Sequence, residues 1–186
     1  KKIKILWRFR PLEINNFDWK LDKKLGGGVE NEILPHVLDY LYFLIEEEFK
    51  SIEVIKDIKT KQKKFLNEIL NLRLYSSRKC LIEILIARNP RFKGSHKIFI
   101  KGSKLSALIF FKSPFDTYSK YLKIFRKNSK SYEILEKNNG FFFEGDDRKN
   151  SFNVMLDYIE KDKRHKFLPN IDSSNLVWKH LGKIER

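Results

Sequence analysis

The chain has 186 residues, with 39 lysines and arginines against 24 acids, which gives a formal net charge of +15 at pH 7. A hydrophobic fraction of 41%, with 14% aromatic residues, excludes an intrinsically disordered chain and predicts one packed core. The single cysteine, Cys80, excludes an intramolecular disulfide framework and a thiolate cluster for zinc. The excess of cations indicates a polyanionic partner, with nucleic acid as the first candidate and an anionic membrane surface as the second.

The first ten residues alternate basic and apolar side chains, which predicts an extended strand with one apolar and one cationic face. This strand either pairs with a neighbouring strand or lies along RNA. In the second case Trp7, Arg8 and Arg10 are additional RNA contacts. Residues 11–28 are punctuated by asparagines and a triple glycine, so they are predicted to form an irregular linker. The glycines lack the Lys-Ser/Thr pair of a phosphate-binding loop.

A helix is predicted over residues 34–50, because Pro35 suits the first helical turn and the apolar residues recur with helical spacing. Its apolar stripe is wide, so this helix should be buried on more than one side. The pattern then predicts a short strand over residues 51–58, a helix with an outward lysine face over residues 61–75, and another strand over residues 79–87.

Residues 97–135 contain two apolar, β-prone runs on either side of a Ser-Pro turn at residues 113–119, which predicts a long basic β-hairpin. Lysines and arginines decorate both arms with few acids between them, a pattern that suits contact with phosphates better than a free surface. The candidate RNA-binding residues of the hairpin and of the break before it are Arg88, Arg91, Lys93, Lys97, Lys101, Lys104, Lys112, Ser113, Tyr118, Lys120, Lys123, Arg126, Lys127 and Lys130.

The C-terminal region is predicted to contain a helix over residues 151–164 and a final strand over residues 171–178, whose Trp178 would close the core. The four histidines show no metal-ligand spacing, and the sequence contains no Gly-x-Ser-x-Gly nucleophile elbow. The sequence therefore predicts no catalytic residue, no metal and no cofactor.

The order of the predicted elements from residue 51 onward, together with the motif IFFKSPFDTYSKYLKIFRKNSKSYEIL, resembles small-subunit ribosomal protein ten, including its mitochondrial form. Ser113 and Pro114 match the Ser-Pro-His tip of that family's hairpin, while Phe115 replaces the histidine. The resemblance implies an α+β fold. This fold is a ferredoxin-like sheet with two helices, a long protruding basic β-hairpin and an N-terminal helical extension.

The resemblance divides the chain into an extension over residues 1–50, a ribosomal-protein-like domain over residues 51–178 and a basic tail over residues 179–186. It implies a structural constituent of the small ribosomal subunit that binds ribosomal RNA and neighbouring ribosomal proteins in the subunit head. Such a protein has no enzymatic activity, no small-molecule substrate and no membrane span. The expected location is the mitochondrial matrix, with the cytoplasm as the alternative. The alternative functions are a DNA-binding or nuclease-type protein and a supernumerary subunit of another organellar complex.

Overall fold

The computed structural model describes residues 1–10, 22–62, 65–89, 91, 94–111, 119–126 and 132–139, together with residues 175, 177, 179, 181 and 182. These residues form a mixed β-sheet with helices packed on one of its faces. The strands are β1 (Lys2–Phe9), β2 (Phe49–Gln62), β3 (Phe65–Ser76), β4 (Leu81–Arg88), β5 (Ser95–Lys101), β6 (Leu105–Phe111), β7 (Ser119–Arg126) and β8 (Tyr132–Asn139). The helices are α1 (Val29–Glu32) and α2 (Leu34–Ile45), preceded by a 3-10 turn at Lys23–Leu25.

β1 lies at the centre of the sheet, whose strand order is β2-β3-β4-β1-β5-β6-β7-β8. It runs parallel to β4 and antiparallel to β5, so Ile5 faces Ile84 on one side and Ile98 on the other. All other neighbouring pairs among the described strands are antiparallel. Two antiparallel meanders, one from β2 to β4 and one from β5 to β8, therefore meet on the two sides of β1.

The face of the sheet that meets the helices carries the apolar core. Buried and less buried residues alternate along β1 and β4, as the strand period of two requires. The buried side chains pack against α2, whose Leu34, Val37, Leu38 and Leu41 are fully buried. The helix predicted from its wide apolar stripe is thereby confirmed. Burial of each such side chain contributes about 1.5–3 kcal/mol to the free energy of folding.

Pro35 explains why the helical segment is divided in two. Proline has no amide hydrogen to donate to the Asn31 carbonyl, so the ladder of helical hydrogen bonds is interrupted there. Ile33, with φ −112°, separates α1 from α2. At the other end Glu46 adopts a left-handed conformation with φ 50°, so α2 ends at Ile45, earlier than the sequence predicts.

The ferredoxin-like fold expected from the sequence is wrong. The segment predicted as a helix over residues 61–75 is mostly β3, which pairs with β2 on one side and with β4 on the other. Leu70, Leu72 and Leu74 are buried on one parity, so the segment follows the strand period although its apolar residues also fit a helical face. Periodicity alone does not resolve this ambiguity, whereas pairing with two neighbouring strands does.

The prediction of a long protruding hairpin is also wrong, because the two predicted arms form four strands of the sheet, β5 to β8. The leading arm breaks at Gly102, whose amide donates to the Leu105 carbonyl at 2.8 Å, and this turn separates β5 from β6. A β-carbon at Gly102 would lie 2.8 Å from the same carbonyl oxygen, so the turn requires glycine. The returning arm contains β7 and the first half of β8. Apart from Ser119, the predicted Ser-Pro turn lies outside the described residues.

The predicted C-terminal strand is helical where the structure describes it. Asn175, Val177 and Lys179 have helical backbone, and the side chains of Val177 and Leu181 are buried against the core. The helix predicted over residues 151–164 lies outside the described residues.

The strands predicted over residues 1–10, 51–58 and 79–87 are confirmed as β1, a part of β2, and β4. Both β1 and α2 fall in the segment that the resemblance assigns to an N-terminal extension, yet both contribute to the central core. No helix in the described ranges is long and apolar enough to cross a membrane.

Replacing Ile84 with alanine should lower the free energy of unfolding by about 2–5 kcal/mol, because the smaller side chain leaves a cavity beside the parallel ladder. Ile84 is fully buried. Urea denaturation followed by circular dichroism measures the loss. The matched control is Ile58→Ala on β2, where the side chain is 37% exposed and the loss should stay below about 1 kcal/mol. Equal losses in the two variants would contradict the burial pattern.

Candidate functional site

The apolar core becomes polar at the end of the sheet where the parallel strands β1 and β4 have their carboxyl ends. Arg88 is the last residue of β4, and Glu68 lies opposite it on β3. His96 lies at the near end of β5. Arg88 is 4% exposed, Glu68 is 1% exposed and His96 is 6% exposed. Each of them lies on the same face of its strand as the buried apolar residues. We call these three residues, together with Glu32 and Tyr40 from the helical segment, the polar layer.

Arg88 connects the helical segment to the sheet through two carboxylates. Its Nε lies 3.1 Å from Glu68 Oε2, and a terminal guanidinium nitrogen donates to Glu32 Oε2. The guanidinium carbon lies 5.1 Å from the centre of the Phe9 ring, within the range of a cation–π interaction. Arginine suits this position because its planar fork binds two partners at fixed angles and keeps its charge when buried. Arg88 therefore holds α1 over the end of the sheet.

His96 fills the other side of the polar layer as a neutral aromatic residue. Its ring stacks on Trp7 with 4.1 Å between the ring centres and on Phe111 with 4.8 Å. The Tyr40 hydroxyl lies 3.3 Å from His96 Nε2, so a hydrogen bond ties α2 to β5. Burial lowers the pKa of His96 to about 4, and burial raises the pKa of Tyr40 above its ordinary value. Both side chains are therefore uncharged at pH 7.

His36 lies between these two attachments. Glu32, His36 and Tyr40 recur every four residues, with Glu32 at the end of α1 and with His36 and Tyr40 one turn apart on one side of α2. Glu32 is bonded to Arg88 and Tyr40 to His96, whereas His36 is exposed. The segment thus presents an exposed imidazole four residues after the carboxylate that Arg88 holds. Open α/β sheets bind ligands outside the carboxyl ends of parallel strands, so the polar layer and His36 form the candidate site.

Sequence reasoning missed this site. It considered His36 only as a histidine without metal-ligand spacing, and it assigned Arg88 to RNA. The signal that was present is the four-residue spacing of His36 and Tyr40 on the predicted helix, with Glu32 four residues earlier in the sequence. Glu68 gave no such signal, because its segment was predicted to be a helix. In the part of the chain that the structure describes, no cluster of histidine, cysteine and acidic side chains could hold a metal ion.

The residues predicted to bind RNA are distributed over different parts of the sheet. Arg88 and Trp7 are buried in the core, at 4% and 9% exposure. Lys97 and Lys101 are exposed on the other parity of β5, and Lys97 Nζ lies 5.1 Å from the centre of the Phe110 ring. Three other predicted contacts are exposed, namely Arg10, Arg91 and Lys104. Two are half-buried, namely Arg8 and Lys123. Two more belong to β7, namely Lys120 and Arg126. The predicted contacts outside the described residues are Lys93, Lys112, Ser113, Tyr118, Lys127 and Lys130.

No protein-family model matches the chain, and no curated protein matches it in sequence. Solved structures do match its fold. UDP-N-acetylglucosamine 3-dehydrogenase from Acidithiobacillus ferrooxidans gives a TM-score of 0.71 at 10% sequence identity, covering 98% of this chain and 52% of that one. An aldose-aldose oxidoreductase from Caulobacter crescentus, complexed with glycerol, gives a TM-score of 0.64 at 12% sequence identity. The match covers 100% of this chain and 54% of that one. A 3-ketoreductase from Actinomadura kijaniata, in complex with NADP and TDP-benzene, gives a TM-score of 0.59 at 12% sequence identity. This match covers 99% of this chain and 51% of that one.

The chain thus spans about half the length of these neighbours, and at such identities the similarity shows the fold alone. The ribosomal assignment is wrong, because the fold matches oxidoreductases. The alternative functions, a DNA-binding or nuclease-type protein and a subunit of another organellar complex, are not supported either. The expectations of no enzymatic activity and no small-molecule substrate are corrected as well. The neighbours are enzymes, and one of them is in complex with NADP and TDP-benzene.

The described residues do not fit the pyrophosphate of a nicotinamide dinucleotide. Such cofactors bind at a glycine-rich turn that follows a parallel strand and opens a helix, whereas the described sheet has one parallel pair and is otherwise antiparallel. Gly28 precedes α1, but a β-carbon placed on it would lie 2.5 Å from Glu30 Oε2. A carboxylate therefore occupies the space beside the Gly28 backbone, where it would repel a phosphate. A dinucleotide would have to be held by other residues.

Proposed function

We propose that this chain forms the sheet domain of a nicotinamide-dependent oxidoreductase that acts on a sugar or a sugar nucleotide. The observation that carries the proposal is the match of nearly the whole chain to about half of each of several such enzymes. The cofactor is then held by residues other than those that the structure describes, because the described residues do not fit the pyrophosphate.

The polar layer and His36 are the proposed substrate-binding site. Oxidation of a sugar hydroxyl, or reduction of the corresponding ketone, requires a group that takes a proton from oxygen or returns it. His36 is the proposed proton acceptor and donor, because its imidazole is exposed beside the polar layer and histidine is the side chain that most often serves as a general acid or base. Glu32 precedes it by four residues, at the end of α1, and its carboxylate is fixed by Arg88, so it is the proposed acceptor of hydrogen bonds from sugar hydroxyls.

The net charge of the chain favours an anionic substrate. A formal charge of +15 raises the local concentration of a sugar nucleotide, whose diphosphate is negative, but has no such effect on a neutral sugar. The cations that suggested RNA are thereby consistent with a small phosphorylated ligand. We therefore propose a sugar nucleotide as the preferred substrate class.

Titration of the chain with UDP-N-acetylglucosamine, followed by amide NMR, tests the site. We expect chemical-shift changes concentrated in α1, α2 and the ends of β4 and β5. Glu32→Gln should weaken binding by about tenfold, because a carboxylate accepts stronger hydrogen bonds than an amide does. The matched control is Glu53→Gln, since Glu53 bonds Arg73 at 3.3 Å on the solvent side of β2 and β3 and should not affect binding.

Shift changes confined to the exposed lysines of β5, or equal losses in the two glutamine variants, would contradict this site. The activity itself is measured by nicotinamide absorbance with the polypeptide or complex that supplies the cofactor-binding unit. Absence of turnover with any sugar or sugar nucleotide in that preparation would contradict the proposed function.

A further inference from the structure

We propose that Tyr40 and His96 form a positioning pair that fixes the rotation of α2 about its own axis and thereby places His36 in the substrate-binding site. The inference rests on the proposed function. It assigns a role to a part-buried hydrogen bond between two side chains that are not the proposed proton acceptor.

The apolar contacts of α2 hold the helix against the sheet but define its rotation less strictly. Leu34, Val37, Leu38 and Leu41 are fully buried, and the attraction that buries them is non-directional. Helical side chains extend about 5–6 Å from the helix axis, so a rotation of about 20° moves a side chain by about 2 Å. A misplacement of about 1 Å at a reacting group costs about 100-fold in rate. A directional contact near His36 therefore has a large effect on catalysis.

The hydrogen bond between Tyr40 and His96 supplies that direction. Tyr40 follows His36 by one helical turn on the same side, and its hydroxyl lies 3.3 Å from His96 Nε2. The two rings are 5.8 Å apart and inclined by 45°, so the hydroxyl contact, and not ring stacking, sets their geometry.

His96 is itself a rigid point of attachment. Its ring lies between Trp7 and Phe111, with interplanar angles of 15° and 17°, and its backbone belongs to a strand inside the sheet. Before His36, the ion pair of Glu32 with Arg88 fixes the end of α1, which Ile33 joins to α2. The helical segment is thus attached to the sheet both before and after His36, and within α2 the contact of Tyr40 with His96 sets the rotation.

The attachment is also insensitive to pH near neutrality. Burial lowers the pKa of His96 to about 4, so its ring stays neutral above that pH. The side chains that face it in the described residues are Tyr40, Trp7 and Phe111, and none of them is charged at neutral pH. The contact that positions His36 therefore stays unchanged over the neutral pH range.

Tyr40→Phe removes only the hydroxyl, and we expect it to lower kcat by about tenfold or more while KM changes by less than about threefold. The measurement uses the polypeptide or complex that supplies the cofactor-binding unit. Tyr75→Phe is the matched control, because Tyr75 is 41% exposed on β3 and lies outside the polar layer. It should leave kcat and KM unchanged.

Two substitutions of His96 separate positioning from packing. His96→Gln keeps a polar group that can bond the Tyr40 hydroxyl, whereas His96→Leu does not, and both remove the ring from the stack. Positioning predicts that the glutamine variant keeps a higher kcat than the leucine variant. It also predicts that Tyr40→Phe adds little to the loss already caused by His96→Leu. Equal losses for glutamine and leucine, or an unchanged kcat for Tyr40→Phe, would overturn the proposal.

NMR of the His36 imidazole in the chain alone makes this test independent of the proposed function. Its ring resonances should shift in Tyr40→Phe and stay unchanged in Tyr75→Phe. If the wild-type protein turns over no sugar, the proposed function fails, but the resonances still decide the structural statement. Unchanged His36 resonances in Tyr40→Phe would overturn it, and shifted ones would support it.

Discussion

Replacing Arg88 with methionine should lower the free energy of unfolding by about 3–5 kcal/mol, a large part of the stability of a typical domain. Methionine fills much of the same volume but removes the guanidinium from Glu68, which is 1% exposed, and from Glu32. A carboxylate at such depth is costly without its cation, because the interior solvates charge poorly. Urea denaturation at pH 7 measures the difference from the wild-type chain.

A surface arginine provides the control for this substitution. Arg73 pairs with Glu53 at 3.3 Å, with 38% and 56% of the two side chains exposed, so Arg73→Met should cost less than about 1 kcal/mol. Adding Glu68→Gln to Arg88→Met should recover part of the loss, since it removes one buried charge. A loss for Arg88→Met no larger than that for Arg73→Met would contradict the buried ion pairs.

The second large effect concerns the pH dependence of stability. Burial lowers the pKa of His96 from 6.5 to about 4, so between these pH values the unfolded chain binds the proton that the native ring does not. Stability contributed by the neutral ring is therefore complete above pH 6.5 and decreases as the pH falls toward 4. The total contribution is about 3 kcal/mol. His96→Phe keeps an aromatic ring in the stack and should remove this part of the pH dependence.

The measurement is urea denaturation of the wild-type and His96→Phe chains at several pH values between 4 and 7.5. Carboxylates affect both proteins alike. Hydrogen bonding from Ser76 lowers the pKa of Glu47, and hydrogen bonding from Lys2 lowers that of Glu83, so their contributions decrease as the pH falls below the ordinary carboxyl range. The difference between the two chains isolates His96. Parallel curves over the whole range would show that the ring is not buried in its neutral form.

The parts of the fold that the sequence predicts correctly are those with an unambiguous period. β1 alternates basic and apolar residues, β4 is a short apolar run rich in isoleucine, and α2 has a wide helical stripe after Pro35. β3 was missed because its leucines fit both periods, and its pairing with β2 and β4 is not visible locally. The hairpin was predicted from a short Ser-Pro motif whose flanking strands also suit an ordinary sheet, so that motif could not distinguish a protruding ribbon from four sheet strands.

The candidate site could not be predicted for a different reason. Arg88 lies in a basic stretch of the sequence, and by charge alone it belongs with its lysine and arginine neighbours. Its burial depends on Glu32 and Glu68, which the topology brings to it from distant segments. His96 likewise becomes an aromatic core residue only because β1 and β6 place Trp7 and Phe111 on its two faces.

The central position of β1 determines how far the sheet behaves as one unit. β4 and β5 are neighbours along the chain, yet β1 separates them in the sheet, and no described strand of one meander pairs with a strand of the other. The hairpins within each meander pair residues that are near one another in sequence. The two ladders of β1 instead join residues far apart in sequence and so raise the contact order of the fold. Every backbone hydrogen-bonded path between the two halves of the described sheet passes through this eight-residue strand. Cooperativity between the halves therefore depends on the segment that the sequence alone assigned to a peripheral extension.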